Sequence, residues 1–214
     1  MIIYSHRGYK KKENTIESFI NSFSNFDGIE MDVRLTKDNI PVIIHDRNLL
    51  RTHNKNIFIN LTNFKELKKY NIPSLIEVLT LIKQNNKKCL IDIKEINDTN
   101  FILNFIKNLV KNKKYNSSMI KCIVYKNDIS LYSEFEILRA YEKIISKNIK
   151  NNINKFYGVS LKFDGSKENI NSIKEFLGKI YINLYIMQIP NKFSYNFIKN
   201  ILYNYSNKVS LTLD

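Results

Sequence analysis

The sequence contains few of the residues that mark disulfide scaffolds, flexible linkers or membrane spans. Among its 214 residues there are two cysteines, three prolines, five glycines and no tryptophan. Cys89 and Cys122 lie in apolar, strand-like runs, which indicates reduced core residues rather than a disulfide framework. No apolar run approaches the roughly 20 residues that cross a bilayer, and the N-terminus lacks the pattern of a signal peptide. We therefore expect a soluble, cytoplasmic protein without a transmembrane segment.

The composition suits one domain, and its strongest bias is positive charge. Hydrophobic residues make up 43% of the chain, which is enough for the core of a single domain over residues 1–214. The formal net charge of +14 would attract nucleic acid, lipid headgroups or a phosphorylated substrate. However, the lysines are scattered and are not interleaved with aromatic residues, while Asn, Lys and Ile are abundant throughout. Composition therefore accounts for the charge, and nucleic-acid binding is not expected.

Strand patterns alternate with helix patterns along the chain. The predicted strands cover residues 2–5, 28–33, 41–44, 89–94, 119–125, 143–146, 157–163, 179–187 and 208–213. The predicted helices cover residues 14–25, 63–69, 75–84, 100–111, 128–138, 167–177 and 193–205. The strand at 41–44 follows its predecessor across a short turn, which indicates a hairpin excursion. The other eight strands predict an α/β fold of the (β/α)₈ TIM-barrel type.

Two details qualify the predicted barrel. The sequence stops at the eighth strand, so the last helix is expected to be missing or replaced, and a homodimer is one way to cover the open edge.

Two helix starts also carry capping signals. Asn14 is a predicted N-cap with Glu17 in the capping-box position, and Ser74 is the predicted N-cap of the helix at 75–84.

The residues that carry chemistry concentrate in the first fifty positions, beginning with two acids in one strand. Side chains alternate along a strand, so Glu30 and Asp32 face the same way while the apolar residues between them face the other. Two neighbouring carboxylates repel each other and are costly to desolvate, so a positive group should lie between them. A divalent cation such as Mg²⁺ or Ca²⁺ is a natural partner, because hard cations prefer carboxylate oxygens.

Further polar residues stand at the ends of neighbouring strands. His6 ends the first strand and His45 ends the hairpin strand, and histidines supply acid–base chemistry near neutral pH. The next barrel strand places Asp92 and Lys94 on one face. Active sites of TIM barrels lie at the carboxyl ends of their strands, so these residues predict a single site.

Taken in order, these motifs resemble the signature of the glycerophosphodiester phosphodiesterases. They are His6-Arg7-Gly8, Glu13-Asn14-Thr15, Ile29-Glu30-Met31-Asp32-Val33, Thr36-Lys37-Asp38, Pro41-Val42-Ile43-Ile44-His45-Asp46, Leu50-Arg51-Thr52, Ile72-Pro73-Ser74-Leu75 and Glu77-Val78-Leu79. Asp92-Ile93-Lys94 falls where the family usually has Glu-Ile-Lys. The match is dense over residues 1–95 and faint beyond them, although the terminal Leu211-Thr212-Leu213-Asp214 resembles the family's Thr-Asp ending.

The resemblance implies a metal-dependent phosphodiesterase that hydrolyses glycerophosphodiesters to glycerol 3-phosphate and an alcohol. The resemblance implies that Glu30, Asp32 and Asp92 are the ligands of one divalent cation, Mg²⁺ or Ca²⁺. It implies that His6 and His45 act as general base and general acid. It also implies that Arg7 and Lys94 contact the phosphate oxygens. The nucleophile is either water or the glycerol hydroxyl of the substrate itself. The implied partner is a small glycerophosphodiester or lysophospholipid.

Two alternatives remain open at this stage. Asp92 is one methylene shorter than the family's glutamate, and the sphingomyelinase D-like phospholipases, which share the barrel, resemble this arrangement with Asp in that strand. Headgroup cleavage from a lysolipid is therefore an alternative, although those proteins are typically secreted and disulfide-bonded. A non-catalytic basic protein that binds nucleic acid or a membrane is the other. The retention of His6, Glu30, Asp32 and His45 argues against it.

The second half of the chain matches the family only faintly, so no motif there marks the residues that set the alcohol specificity. Tyr125, Phe163 and Met187 stand near later strand ends and are candidates for lining the mouth of the site.

Overall fold

The structure is a computed structural model that describes residues 1–112, 114–125, 136–141, 156–186 and 192–213. Its strands are β1 (Ile2–His6), β2 (Gly28–Leu35), β3 (Pro41–Ile43), β4 (Lys88–Ile93), β5 (Ile120–Val124), β6 (Glu136–Tyr141), β7 (Gly158–Phe163), β8 (Tyr181–Ile186) and β9 (Val209–Leu213). Its α-helices are α1 (Ile16–Ser22), α2 (Leu50–His53), α3 (Phe64–Leu67), α4 (Leu75–Gln84), α5 (Thr99–Lys111), α6 (Lys167–Lys174) and α7 (Lys192–Asn204). Short 3₁₀ turns lie at Ile59–Leu61, Lys68–Tyr70 and Ser117–Met119.

Eight of these strands close into a parallel barrel. Going around it, the order is β1, β2, β4, β5, β6, β7, β8 and β9, and β9 pairs back with β1. Strand β3 lies outside this ring and pairs antiparallel with the far end of β2. The predicted TIM barrel and the predicted hairpin excursion are therefore both confirmed. In parallel strands the carboxyl ends share one rim, so the chain ends of β1, β2 and β4 meet there.

Alternation along each strand produces two apolar layers. On β2, the side chains of Ile29, Met31 and Val33 face outward and join the cluster that packs under the helices. A smaller cluster fills the inside of the barrel with Tyr4, Leu90, Ile123, Leu138 and Tyr181. These side chains fill the interior of the barrel, so a site at the rim lies above a packed core and not above a channel. Cys89 and Cys122 are buried free thiols in the outer layer, as predicted.

Residues 41–74 form the excursion beyond β2, with a small core of their own. Its buried side chains are Val42, Ile44, Leu49, Ile59, Leu67 and Ile72. The excursion is tied to the barrel where Ile44 N donates to Asp32 O at 3.0 Å and Arg34 Nε donates to His45 O at 2.6 Å. These two contacts fix the backbone of His45 beside the barrel rim.

The sequence patterns misplaced one strand. Residues 136–138 were expected to end a helix, but they begin β6. Ile137 packs in the outer layer and Leu138 inside the barrel, so both faces of this strand are buried and its apolar run carries no clear period of two. The rest of the predicted helix at 128–138 and the strand predicted at 143–146 lie outside the described residues.

One predicted helix cap is wrong and the other is confirmed. Helix α1 is capped by Thr15, whose side chain accepts from Ser18 N. Asn14 instead adopts a left-handed backbone with φ of 56°, and its amide is used by the site described below. Helix α4 begins after Ser74, whose hydroxyl accepts from Glu77 N while the Glu77 carboxylate accepts from Ser74 N.

This reciprocal cap at α4 leads to a stability prediction. Replacing Ser74→Ala removes the acceptor for Glu77 N, so we expect the free energy of unfolding to fall by about 1 kcal/mol. Urea unfolding followed by circular dichroism measures the change. Ser24→Ala, at an exposed position outside any helix, is the matched control, and an equal loss in the two variants would contradict the prediction.

Within the described residues, no helix is both long enough and apolar enough to cross a membrane.

Candidate active site

Three buried carboxylates meet at the barrel rim. Parallel pairing sets Asp32 of β2 directly beside Asp92 of β4, and Glu30 lies two residues earlier on the same face as Asp32. One oxygen from each carboxylate lies within 4.8 Å of the others. Their exposed fractions are 4% for Glu30, 0% for Asp32 and 7% for Asp92. Such a compact and buried acidic cluster is unfavourable unless positive charge balances it.

Two cations supply part of that balance. Lys94 Nζ lies 2.6 Å from Asp92 Oδ2 and 3.0 Å from Asp32 Oδ1. Arg7 Nε lies 2.9 Å from Asp32 Oδ2 on its other side. Burial acts to lower the pKa of Lys94, but the carboxylates of Asp92 and Asp32 outweigh it and raise the pKa above the usual value. Lys94 and Arg7 are therefore fixed positive charges at neutral pH.

A tight turn after β1 brings Arg7 to this position. Its backbone is left-handed, with φ of 54°, and its N–H donates to Glu30 O at 3.1 Å. The next residue, Gly8, has φ of 99°, and a Cβ there would lie 2.2 Å from Ser18 Oγ. Only glycine fits such a position without displacing α1. The Arg-Gly pair therefore folds the chain back over the acidic cluster.

The pKa values of the three carboxylates are shifted by their burial, by their mutual repulsion and by the two cations. Burial raises the pKa of Glu30 well above its usual range, and the charges of Asp32 and Asp92 add to the rise. Burial likewise raises the pKa of Asp92, against the opposing effect of Lys94. For Asp32, burial is outweighed by Lys94 and Arg7, and its pKa is lowered. With all three carboxylates ionised, one negative charge has no matching cation.

The buried oxygens of the cluster fit a divalent cation. Asp92 Oδ1 is buried and accepts no hydrogen bond from the described residues, and Asp32 Oδ1 has only its ion pair with Lys94. Together with Glu30 they present three carboxylates to one point, and hard cations such as Mg²⁺ and Ca²⁺ take carboxylate oxygens. The donor set and the residual negative charge therefore both suit such an ion.

His45 stands beside the cluster and is held by a chain of ionic contacts. His45 Nδ1 lies 2.7 Å from Asp46 Oδ1, and Asp46 Oδ2 accepts from Arg51 Nε at 2.6 Å. Arg51 also forms a two-pronged ion pair with Glu13, which lies 3.5 Å from Arg7 Nη1. Contact of Asp46 with Nδ1 fixes the ring orientation and leaves Nε2 of His45 available for proton transfer.

His6 stands beside the cluster at the end of β1. Its Nε2 lies 3.9 Å from Glu30 Oε2, and the Tyr185 hydroxyl lies 3.3 Å from its Nδ1. The rings of His6 and Tyr185 also pack with their centroids 4.6 Å apart. The ring is therefore positioned by β2 on one side and by β8 on the other.

The predicted site residues surround one open cavity of about 830 Å³, a volume typical of small-molecule sites. Six of them line it, namely His6, Arg7, Glu30, His45, Asp92 and Lys94. The seventh, Asp32, is fully buried behind Arg7 and Lys94, which it contacts. The structure thus brings together all seven residues that the sequence singled out.

Two further residues contribute to the cluster. Asn14 Nδ2 donates to Asp32 Oδ2 at 2.9 Å, a role that the capping prediction missed. The Tyr125 hydroxyl donates to Asp92 Oδ2 at 2.9 Å and lines the cavity, as expected from its strand end. Phe163 does not line it; because Lys162 faces the cavity, Phe163 faces outward and stacks on Phe197. Met187 lies outside the described residues.

Comparison with known proteins gives a family match over most of the chain. A sequence profile described as the glycerophosphoryl diester phosphodiesterase family matches residues 6–167. A glycerophosphodiester phosphodiesterase of Bacillus altitudinis is 43% identical over 70 residues, which are 31% of this chain and 29% of that protein. The chain thus matches less than a third of the length of this curated relative.

Solved structures share the whole fold. A glycerophosphodiester phosphodiesterase from Thermotoga maritima superimposes with a TM-score of 0.75 at 21% identity, over 100% of this chain and 94% of that one. A phosphodiesterase of Oleispira antarctica, solved in complex with its product sn-glycerol-3-phosphate, gives a TM-score of 0.73 at 20% identity, over 99% and 92% of the two chains.

Proposed function

Because the chain belongs to the glycerophosphoryl diester phosphodiesterase family, we propose that it hydrolyses glycerophosphodiesters to glycerol 3-phosphate and an alcohol. The observation that carries this proposal is the convergence of three carboxylates, two histidines and two cations on one cavity at the carboxyl ends of the barrel strands. The bound product in the Oleispira antarctica phosphodiesterase agrees with the same reaction.

Glu30, Asp32 and Asp92 would hold one divalent cation, Mg²⁺ or Ca²⁺. When bound, such an ion supplies Lewis-acid stabilisation of the charge that builds on the phosphate oxygens. The charge balance supports this assignment. The three carboxylates exceed the cations Arg7 and Lys94 by one negative charge, so a divalent ion makes the site positive by one. A phosphodiester carries one negative charge and matches that excess.

Arg7 and Lys94 would contact the phosphate oxygens. Both line the cavity while they pair with the acidic cluster, so both can reach a ligand without leaving it. The planar guanidinium of Arg7 suits a two-pronged contact, and the ammonium of Lys94 suits a point contact. Negative charge increases on these oxygens during attack at phosphorus, and preorganised cations stabilise it where it develops.

The two histidines would divide the proton transfers. His6 acts as general base and takes a proton from the nucleophile, which is either water or the glycerol hydroxyl of the substrate. His45 acts as general acid and protonates the leaving alkoxide, which is otherwise a poor leaving group. The contact of Asp46 with Nδ1 supports this role, because it leaves Nε2 of His45 to carry the transferred proton.

Asn14 gives a first test of how the carboxylates are positioned. Replacing Asn14→Gly keeps the tolerance of a left-handed backbone and removes the amide donor to Asp32 without adding a charge. We expect a roughly 10- to 100-fold weaker affinity for the divalent ion, because residues that hydrogen-bond to metal ligands have effects of this size. Calorimetric titration with Ca²⁺ measures it. The exposed Asn25→Gly is the control, and unchanged affinity in the Asn14 variant would show that Asn14 does not position the carboxylates.

The direct test of the proposed function is release of glycerol 3-phosphate from glycerophosphocholine and glycerophosphoethanolamine. The assay is run with Mg²⁺, with Ca²⁺ and with EDTA, beside a His6→Ala variant. Metal-dependent release that the variant loses supports the proposal. Headgroup release from a lysolipid without turnover of any glycerophosphodiester, glycerophosphoglycerol included, would favour the sphingomyelinase D-like alternative, and inactivity on all of these substrates would favour a binding role.

A further inference from the structure

A second part of the cavity wall is formed by β7, β8 and β9, which lie four, three and two positions around the barrel from β2. We call it the distal wall and define it by four lining residues, Ser160, Lys162, Asn183 and Thr212. None of them has a part in the chemistry proposed above. Their properties bear on which organic groups the cavity accepts.

The lower part of the distal wall is a buried network of hydroxyls around one amide. Asn183 Oδ1 accepts from Ser210 Oγ at 2.8 Å and from Thr212 Oγ1 at 3.2 Å, and Asn183 Nδ2 donates to Ser160 Oγ at 3.1 Å. The Ser160 hydroxyl proton has no acceptor among the described residues, so it remains available to a ligand. Such a surface suits groups that carry hydroxyls.

The upper part of the distal wall is a single unpaired cation. Lys162 lines the cavity at the end of β7 and forms no ion pair with any described residue. It differs in this respect from Arg7 and Lys94, whose charges are matched by the acidic cluster. An ammonium without a partner on the wall of a cavity repels a cationic ligand and attracts an anionic one.

The aromatic rings that line the cavity already contact protein groups. A quaternary ammonium is usually bound by open aromatic faces. Here Lys94 Nζ lies 5.5 Å from the centre of the Tyr125 ring, and the Arg139 guanidinium lies 5.0 Å from the centre of the Tyr141 ring. The Tyr185 ring packs against His6. Each ring therefore already has a charged or titratable protein group on one face.

The carboxylates near the cavity are also engaged. Glu30 and Asp92 belong to the proposed cation site, and on the side of His45 both Asp46 and Glu13 are paired with Arg51. Whichever way a diester lies in the cavity, a positively charged alcohol meets no unpaired carboxylate among the described residues. A neutral alcohol rich in hydroxyls or an anionic alcohol meets the distal wall favourably.

We propose that Lys162 and the hydroxyl network make this site selective for glycerophosphodiesters whose alcohol is hydroxyl-rich and neutral or anionic, such as glycerol or inositol, over those of choline. Lys162 is the specificity-determining residue in this proposal. The proposal rests on the hydrolytic function proposed above and names the substrate class of the same site.

The test compares kcat/KM for glycerophosphoglycerol, glycerophosphoinositol and glycerophosphocholine, which share the glycerol phosphate half. We expect the first two to exceed the choline diester by about tenfold or more. Lys162→Arg should keep this ratio, Lys162→Gln should reduce it, and Lys162→Glu should reverse it toward choline. The ratio reports specificity, because a general loss of folding or of chemistry lowers all three values together.

Two results separate the failure of this proposal from the failure of the hydrolytic function. Hydrolysis of the choline diester at least as efficient as that of the glycerol diester, or a ratio that Lys162→Glu does not move, overturns the selectivity while the function stands. If no diester is hydrolysed with any metal, the proposed function fails. Calorimetric binding of the same diesters then tests the selectivity, and equal affinities overturn it.

Discussion

Replacing His45→Ala is expected to lower kcat for glycerophosphoethanolamine by about 10² to 10⁴-fold, while leaving the hydrolysis of the p-nitrophenyl ester of glycerol 3-phosphate nearly unchanged. The ethanolamine alkoxide must be protonated as it leaves, and His45 is the proposed donor. The p-nitrophenolate ion is stable enough to leave without a proton. His6→Ala should slow both substrates by a similar factor, because both need the nucleophile to be deprotonated.

The third histidine provides the matched control for this pair of variants. His53 lies in the excursion, where its Nε2 contacts Tyr70 O at 3.0 Å, and it does not line the cavity. His53→Ala should therefore retain activity on both substrates. Stopped assays of glycerol 3-phosphate and the absorbance of p-nitrophenolate measure the two reactions. An equal loss on both substrates in the His45 variant would contradict its assignment as the general acid.

Replacing Glu30→Gln is expected to abolish metal-dependent turnover and to stabilise the metal-free protein at the same time. Loss of a ligand removes several kcal/mol of charge stabilisation in the reaction, which corresponds to a loss of at least about 10³-fold in kcat. Without the ion, however, Glu30 contributes the unmatched negative charge of the cluster, and glutamine removes it. We expect the free energy of unfolding in EDTA to rise by about 1 to 3 kcal/mol.

The sign of the pH dependence follows from the raised pKa of Glu30. The folded protein holds the proton of Glu30 more tightly than the unfolded chain does, so the ionisation of Glu30 destabilises the wild type as pH rises above 4.5, the usual value for glutamate, through the folded pKa. Glutamine does not titrate. The stability gap between the variant and the wild type should therefore be small below about pH 4.5 and widen above it.

Thermal unfolding in EDTA across this pH range measures the effect, and for a chain of this length 1 kcal/mol corresponds to about 2–4 °C. Glu66→Gln, at an exposed position on α3, is the control and should show neither change. A Glu30 variant that is less stable than the wild type at neutral pH in EDTA would show that this carboxylate is well compensated without an ion.

Much of this fold and site could be predicted because both depend on short-range patterns. Alternation places Glu30 and Asp32 on one face of β2, and parallel pairing then sets Asp32 beside Asp92. Shared carboxyl ends add His6 and Lys94 to the same rim. These relations need only the strand positions, which the sequence carries.

Contacts between distant parts of the chain could not be predicted in the same way. Arg51 pairs with Glu13 across 38 residues, and Tyr185 contacts His6 across 179 residues, and neither spacing leaves a local pattern. Asn14 was misassigned because its amide is as suitable for an N-cap as for a carboxylate partner. Only the turn after β1 decides between these uses, since it gives Asn14 a left-handed backbone facing Asp32.

Glu30, Asp32 and Asp92 are proposed to form one divalent-cation site on which hydrolysis depends. The most direct measurement strips the protein with EDTA and titrates it with Ca²⁺ or Mg²⁺, following bound ion by calorimetry and glycerol 3-phosphate release from glycerophosphoglycerol in parallel samples. We predict one ion per chain, activity that rises in proportion to its binding, and the loss of both in Glu30→Gln. Full activity in EDTA, or turnover that does not follow the bound ion, would contradict the claim.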